Sequence, residues 1–214
     1  SQDPKTKDVL AGARKWLDSE GKVAMATVVG TWGSAPVRIG GQMVVAPDGQ
    51  FEGSVSGGCV EGEVIAESED ILESGKPKTL TFGVADETAW QVGLPCGGQI
   101  KVFLERLDKS NGTELLERAI AARSNRRGLL VKTQLNDGRR EIFDRDDTRA
   151  DAEIAQRFES GESRLLEGPQ GEVFLHAMVP PARILIIGAT HIGQILAQLV
   201  QMAGHEVTVI DPRT

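Results

Sequence analysis

The sequence predicts an α/β chain in two parts: a mixed α+β first domain, then the start of a Rossmann-like parallel β-α-β domain. Short runs rich in β-branched residues alternate with stretches whose apolar residues recur at helical spacing. Asp48-Gly49 joins two extended runs in the manner of a β-hairpin. Pro180-Pro181 marks the boundary, because two prolines disfavour both ladder and helix. We therefore place the domains at 1–179 and 182–214 and expect the second to be truncated.

The helices and strands follow from these patterns. Apolar residues at helical spacing predict helices in the first domain over 5–19, 60–75, 113–123 and 151–158. Apolar or alternating runs predict its strands over 22–29, 37–47, 50–55, 78–84, 99–107, 128–134, 141–143, 163–166 and 172–179. We expect a loop over 30–36 and a half-exposed strand over 99–107. In the second domain, strands over 183–187 and 207–211 flank one helix.

Composition and charge exclude several classes of protein. The 214 residues are 40% hydrophobic and 26% charged, as in ordinary globular proteins. No apolar run approaches the ~20 residues that a membrane helix needs. The net charge of −7 offers no basic footprint for nucleic acid. With two cysteines and no signal peptide before the first helix, we expect a cytoplasmic protein that binds neither membrane nor nucleic acid.

The most distinctive segment is a glycine-rich turn that leads into the second helix. It reads Gly53-Ser54-Val55-Ser56-Gly57-Gly58-Cys59-Val60-Glu61. Glycines at a helix start let backbone N–H groups approach a ligand, and the partial positive charge there favours an anion. A cysteine in the first turn feels the same field, which favours its thiolate. A strand-to-helix turn with a structural cysteine is the alternative that spacing alone leaves open.

The second cysteine has a matching context. Cys96 precedes Gly97-Gly98, whereas Cys59 follows Gly57-Gly58. Structural cysteines are usually small buried residues within apolar runs. The glycine context of both residues therefore favours a chemical role.

The second domain begins with a partial dinucleotide fingerprint. Gly188 and Gly193 lie where the strand passes into the helix, His191 starts the helix, and Asp211 closes the second strand. Thr190 occupies the place of the second glycine, where the backbone approaches a pyrophosphate. We therefore expect an impaired phosphate site.

Three blocks of residues carry a resemblance to a known family. They are Gly33-Ser34-x-Pro36 with Gly40 and Met43, the turn 53–61, and Gly93-Leu94-x-Cys96-Gly97-Gly98. Together they resemble the XdhC/CoxI family of accessory proteins for molybdenum hydroxylases such as xanthine dehydrogenase and carbon monoxide dehydrogenase. Segment 183–213 is similar to the start of that family's Rossmann-like domain. The family often has arginine directly after the proline, whereas here Val37 intervenes before Arg38.

The resemblance implies that the chain binds molybdenum cofactor and assists its sulfuration and insertion into a hydroxylase apoenzyme, with a cysteine desulfurase as a further partner. Cys59 and Cys96 are soft ligands suited to the metal, and the Gly57 and Gly58 amides suit the pterin phosphate. Glu61 is interpreted as a partner of the helix dipole. The residues expected to bind cofactor or nucleotide are Ser34, Arg38, Ser56, Gly57, Gly58, Cys59, Glu61, Cys96, Gly97, Gly98, Gly188, His191, Gly193 and Asp211.

Two enzymatic functions are the alternatives. An NAD(P)-dependent oxidoreductase would use the β-α-β segment, but the isolated His176 and His205 give no hydride-transfer constellation. A cysteine-dependent hydrolase or transferase would use Cys59 as nucleophile, which needs a base and an orienting group. No histidine neighbours a cysteine in the sequence. An accessory role without catalytic residues is therefore favoured over an enzyme.

The second domain also predicts self-association. Its two parallel strands are apolar on both faces, yet only one crossover helix is available to cover them. Apolar surface left in water costs about 25 cal/mol per Å². We therefore expect a homodimer in which segments 183–214 contact each other or the partner's first domain.

Overall fold

The structure, a computed structural model, describes residues 8–83, 98–180, 182–203 and 205–212. The chain divides into two compact units, 1–178 and 179–214. The first unit contains two antiparallel sheets with helices, and the second contains a parallel pair of strands with one helix. The predicted α/β class, with a mixed first part and a parallel β-α-β second part, is confirmed.

The bounds of the elements are as follows. The helices are α1 (Val9–Glu20), α2 (Glu61–Ser74), α3 (Thr113–Ser124), α4 (Ala152–Ser160) and α5 (His191–Met202). The strands of the first sheet are β1 (Lys22–Trp32), β2 (Gln42–Val45), β3 (Phe51–Gly53), β4 (Lys78–Phe82) and β5 (Gln99–Asp108). Those of the second sheet are β6 (Leu129–Gln134), β7 (Arg140–Asp144), β8 (Arg164–Gly168) and β9 (Gly171–Met178). The second unit contributes β10 (Arg183–Ile187) and β11 (Glu206–Ile210).

The first sheet carries the candidate site at one of its ends. Its strand order is β3-β2-β1-β5-β4, and every neighbouring pair is antiparallel. The predicted hairpin across Asp48-Gly49 joins β2 to β3. α2 packs on one face of this sheet, where Val64 and Ile71 are buried against alternate residues of β1 and β5. The loop from β3 to α2 therefore crosses the end of the sheet.

The opposite face of the first sheet is also covered. α1 packs there through Trp16 and Leu17, and α3 and residues of the second sheet complete the same cluster. β5 is consequently buried on both sides for most of its length. The predicted half exposure of strand 99–107 is wrong, because a second layer covers the face that was expected to meet solvent.

The second sheet has the antiparallel order β7-β6-β9-β8. α4 covers it with Ile154 and Phe158, which are buried against Leu130, Phe143 and Leu175. Asp151 caps this helix, since its carboxylate accepts the Ile154 N–H at 2.9 Å.

The second unit is a parallel β-α-β arrangement. β10 pairs with β11 from Arg183 opposite Glu206 to Ile187 opposite Ile210. α5 connects the two strands and begins at His191. The hydroxyl of the preceding Thr190 caps it by accepting the Gly193 N–H at 3.3 Å.

Several predicted boundaries differ from the structure around the first hairpin. Residues 30–32 continue β1 instead of forming a loop, because Thr31 and Trp32 pair with the start of β5. The strand predicted over 37–47 is reduced to β2. Gly40 has a φ of 91° and turns the chain there, and its N–H bonds to the Val28 carbonyl at 2.8 Å. The strand predicted over 50–55 is reduced to β3, since the loop around Glu61 begins at Ser54.

Within the described part of the chain, none of the helices combines the length and apolar character required to cross a bilayer.

Candidate functional site

The loop between β3 and α2 is built around the carboxylate of Glu61. Glu61 is the first residue of α2, and its side chain is buried at 7% exposure. Its carboxylate accepts backbone hydrogen bonds from Val55 at 3.1 Å, Ser56 at 2.9 Å and Gly58 at 2.9 Å. The hydroxyls of Ser54 and Ser56 donate to the same carboxylate. One side chain thus holds most of the turn that precedes its own helix.

The two serine hydroxyls complete the network. The Ser54 oxygen accepts the Gly57 N–H at 2.8 Å. The Ser56 oxygen accepts the N–H groups of Cys59 and Val60, both at 2.9 Å. The backbone N–H groups from residue 55 to residue 60 therefore all bond within the loop. The sequence predicted that the Gly57 and Gly58 amides bind a phosphate. In the structure these two N–H groups instead donate to oxygens of the chain itself, on Ser54 and Glu61.

These contacts set the protonation of Glu61. Burial alone would raise the pKa of this carboxyl, but hydrogen bonds from Ser54, Ser56 and the backbone outweigh that effect. They lower the pKa from its ordinary value of 4.5 to about 2. Glu61 is therefore a charged structural anion at neutral pH, and the interpretation of Glu61 as a helix-dipole partner covers only part of its role.

The loop presents its tip to solvent. Gly57, Gly58 and Cys59 are exposed, whereas Val55 and Val60 on either side are buried. Gly57 and Gly58 have φ values of 74° and 110°, which glycine adopts without the strain that a Cβ would add. The side chain of Cys59 is therefore exposed, while hydrogen bonds to Glu61 and the two serines hold the backbone of the loop.

Other glycine-containing segments approach the same end of the sheet. A Cβ placed on Gly57 would lie 3.4 Å from the Pro36 side chain. A Cβ on Gly98 would lie 2.1 Å from the Ser34 carbonyl oxygen, and one on Gly83 would lie 2.2 Å from the Gly98 carbonyl oxygen. Such distances leave room for glycine alone at positions 83 and 98. The structure thus brings Ser34, Gly57 and Gly98, three of the predicted site residues, into one set of neighbouring loops.

Two residues of this region were missed by the sequence analysis as site residues. Ser54 bonds both Glu61 and Gly57, and the serine pair preceding an acidic first-turn residue was the available signal. Trp32 ends β1 with 51% of its surface exposed, and its carbonyl oxygen would lie 3.2 Å from a Cβ on Gly98. Its place between glycines in Gly30-Thr31-Trp32-Gly33 was the only sequence signal for it.

Arg38 lies in the turn after Pro36. Its carbonyl accepts the Gly41 N–H at 3.0 Å, and its side chain is exposed. It forms no ion pair with any residue that the structure describes, in contrast to Arg123 with Asp8 and Arg140 with Glu105. Arg38 is therefore an exposed cation two residues after Pro36, whose side chain neighbours Gly57.

Cys96 and Gly97 lie outside the described residues. Of the two thiols predicted to bind the metal, the structure therefore describes Cys59. Over residues 8–83, 98–180, 182–203 and 205–212, no group of three or more His, Cys, Asp or Glu side chains is arranged to hold a metal ion. In the same ranges no hydrogen bond joins Cys59 to a histidine.

The residues predicted for nucleotide binding come together in the second unit. Gly188 has a φ of 104°, and its N–H bonds to the Ile210 carbonyl at 2.7 Å. A Cβ on Gly193 would lie 2.4 Å from the Gly188 carbonyl oxygen, so close helix–strand packing requires glycine there. The Asp211 carboxylate accepts the Ala189 N–H at 2.7 Å. His191 is exposed at the start of α5.

Comparisons with known proteins match two of the three blocks, those within residues 33–61. The XdhC and CoxI family matches residues 16–83. Over 100 residues the chain is 36% identical to the molybdenum cofactor insertion chaperone PaoD of Escherichia coli (strain K12), and the match covers 46% of this chain and 31% of that protein. Over 93 residues it is 29% identical to a probable xanthine dehydrogenase subunit from Bacillus subtilis (strain 168), and this match covers 42% of this chain and 28% of that one.

A solved structure shares the fold. The crystal structure of a xanthine dehydrogenase from Bacillus halodurans superposes with a TM-score of 0.63 at 19% identity, covering 94% of this chain and 62% of that one. The matches to the two curated relatives cover less than a third of their lengths. The matched residues 16–83 contain β1, the Glu61 loop and the exposed Cys59. Through this segment, the chain is similar to the XdhC and CoxI family.

Proposed function

We propose that this chain is an accessory protein that handles molybdenum cofactor for a molybdenum hydroxylase. It binds the cofactor, assists its sulfuration and passes it to the apoenzyme. The names of its relatives, a molybdenum cofactor insertion chaperone and a probable xanthine dehydrogenase subunit, support this class of role. The observation that carries the proposal is the exposed Cys59 on a backbone fixed by Glu61.

The thiol suits the metal of the cofactor. Molybdenum bound by a dithiolene is a thiophilic centre, and a cysteine sulfur is a soft ligand. A carrier must also release what it binds, which favours an exposed ligand over a closed metal cage. Cys59 meets this requirement, since the residues that fix its backbone leave the side chain exposed.

The phosphate of the cofactor requires a different partner from the one that the sequence suggested. The loop amides bond to Glu61 and the serine hydroxyls, and the Glu61 carboxylate would repel a second anion at that position. We assign the phosphate contact to Arg38, which is exposed and follows Pro36, the neighbour of Gly57. The exposed ring of Trp32 offers a flat apolar surface to the pterin.

Transfer of the cofactor is the experiment that tests this function. The purified chain is loaded with molybdenum cofactor and mixed with a cofactor-free xanthine dehydrogenase, and hydroxylase activity is followed over time. The loaded chain should activate the apoenzyme faster than free cofactor at the same concentration. Arg38→Ala should lower the cofactor bound per chain. Activation at the rate of free cofactor would contradict the accessory role.

NAD(P)-linked oxidoreduction receives no support from the second unit. Asp211 bonds to Ala189 and Thr190 caps α5, so both groups at the predicted nucleotide site already serve the β-α-β fold.

A further inference from the structure

Among the described residues, β4 is an edge strand of the first sheet. β4 is the last strand in the order β3-β2-β1-β5-β4 and pairs only with β5 among the described residues. An edge strand presents unpaired N–H and C=O groups on its outer side. Five residues at about 3.3 Å each give roughly 17 Å of such edge. Pro77 directly precedes the strand, and no proline interrupts Lys78–Phe82.

A groove runs along this edge under the flank of α2. It has a volume of about 400 Å³ and is lined by all five residues of β4 together with Glu63, Ala66 and Glu67. Ala66 is small and exposed, so α2 leaves room beside the strand at its middle. The groove is therefore open to an extended chain lying parallel to β4.

The groove is acidic on its helical side. Glu63 and Glu67 line the groove, and Asp70, three residues after Glu67, lies outside this lining on the same flank of α2. Of the described residues that line the groove, Lys78 alone is a cation, and it pairs with Glu67 at 2.5 Å. Glu63 and Asp70 have no such partner in the part of the chain that the structure describes. The charge of the groove therefore complements a basic chain.

We propose that this edge docks an extended, basic segment of a partner polypeptide, which adds to the sheet as a strand beside β4. Main-chain hydrogen bonds to the free edge supply affinity, and lysine or arginine at alternate positions reaches Glu63 and Asp70. A second copy of this chain fits the site poorly, because two β4 edges in contact would bring two acidic α2 helices together. The docking does not depend on the cofactor or on Cys59.

A synthetic peptide tests this docking on the full chain. The probe is a short fluorescein-labelled peptide in which lysine and valine alternate, and binding is measured by fluorescence anisotropy. Amide exchange of Lys78–Phe82 is followed by NMR with and without the peptide. We expect saturable binding that slows exchange at the outward-facing amides of β4.

Paired charge reversals test whether the peptide binds at the groove or is attracted only by the net negative charge of the chain. Glu63→Lys with Asp70→Lys should weaken binding about tenfold or more. Glu69→Lys with Glu73→Lys changes the net charge equally on another flank of α2 and should leave the affinity within about twofold. The proposal is overturned if wild-type binding is not saturable, if β4 exchange is unchanged, or if both pairs lose affinity equally. It is also overturned if a peptide of alternating glutamate and valine binds as well.

Discussion

At the scale of single residues, Glu61 organises the candidate site. A first-turn glutamate near a helix N-terminus is common, and its sequence position suggests only an interaction with the helix dipole. Its actual partners are the serine hydroxyls and backbone amides of the preceding loop. Those contacts depend on how the glycines at 57 and 58 turn the chain, so the sequence pattern alone did not predict them.

Replacing Glu61 by glutamine should destabilise the fold in a pH-dependent manner. The folded-state pKa of about 2 lies below the ordinary value of 4.5, so Glu61 stabilises the fold above pH 4.5 and loses this contribution as pH falls towards 2. The contribution is up to about 3 kcal/mol. Urea unfolding across this range should show a steep loss of stability for the wild type and a shallower one for Glu61→Gln.

Glu63→Gln is the matched control, because Glu63 lies in the same helical turn but is partly exposed. It should leave the pH dependence of unfolding close to that of the wild type. Parallel curves for wild type and Glu61→Gln would show that the carboxylate network does not hold the loop.

His176 should titrate well below the usual range for histidine. It lies under the 38–41 turn, where a Cβ on Gly40 would be 3.2 Å from its Nε2. Burial lowers the pKa of His176 from 6.5 to about 4, despite an opposing hydrogen bond with the Gly40 backbone. Protonation therefore favours the unfolded chain, and stability falls as pH drops from 6.5 towards 4.

An NMR titration checks the pKa of His176, and His176→Gln identifies its signal by removing it. An imidazole that titrates near 6.5 would contradict the buried environment.

At the scale of helices and strands, the sequence predicted most elements and the two-part order. Helix ends at Gly21, Gly75 and Gly161 are marked by glycine, and the structure has left-handed caps at all three. The errors arise where tertiary contacts override local pattern. β1 continues through Gly30 because β5 pairs with it. β5 is buried on both faces because the second sheet covers the face away from α2.

The β-α-β unit should not bind NAD or NADP with measurable affinity. Thr190 adds a side chain where the fingerprint has glycine, and its hydroxyl accepts the Gly193 N–H at 3.3 Å. The Asp211 carboxylate, which would bind a ribose, accepts the Ala189 N–H instead. Isothermal calorimetry should give no binding heat for either nucleotide. A micromolar Kd would revive the oxidoreductase alternative.

At the scale of the whole molecule, the second unit exposes a large apolar surface. Exposure reaches 77% at Ile187 and Ile192 and 84% at Met202. Large contiguous apolar patches usually mark an interaction surface. We therefore retain the homodimer as a proposal, in which α5 and the strands beside it contact a second copy.

Sedimentation of the chain should show a dimer. Ile192→Lys with Leu199→Lys should shift it towards monomer, because both residues are exposed on α5. Gln198→Lys, at an exposed polar position of the same helix, should leave the dimer intact. A wild-type chain that sediments strictly as a monomer would contradict the proposal.

Cofactor retention by cysteine variants is the most direct test of whether this chain binds molybdenum cofactor through Cys59. The chain is loaded with molybdenum cofactor, separated from free cofactor, and its pterin is released and quantified by fluorescence. Cys59→Ala should retain at least about tenfold less pterin than the wild type, equivalent to about 1.4 kcal/mol of binding. Its melting temperature should not change, because the thiol is exposed while the loop is fixed by Glu61. Full retention by the double variant Cys59→Ala, Cys96→Ala would contradict the claim that the chain binds the cofactor through its thiols.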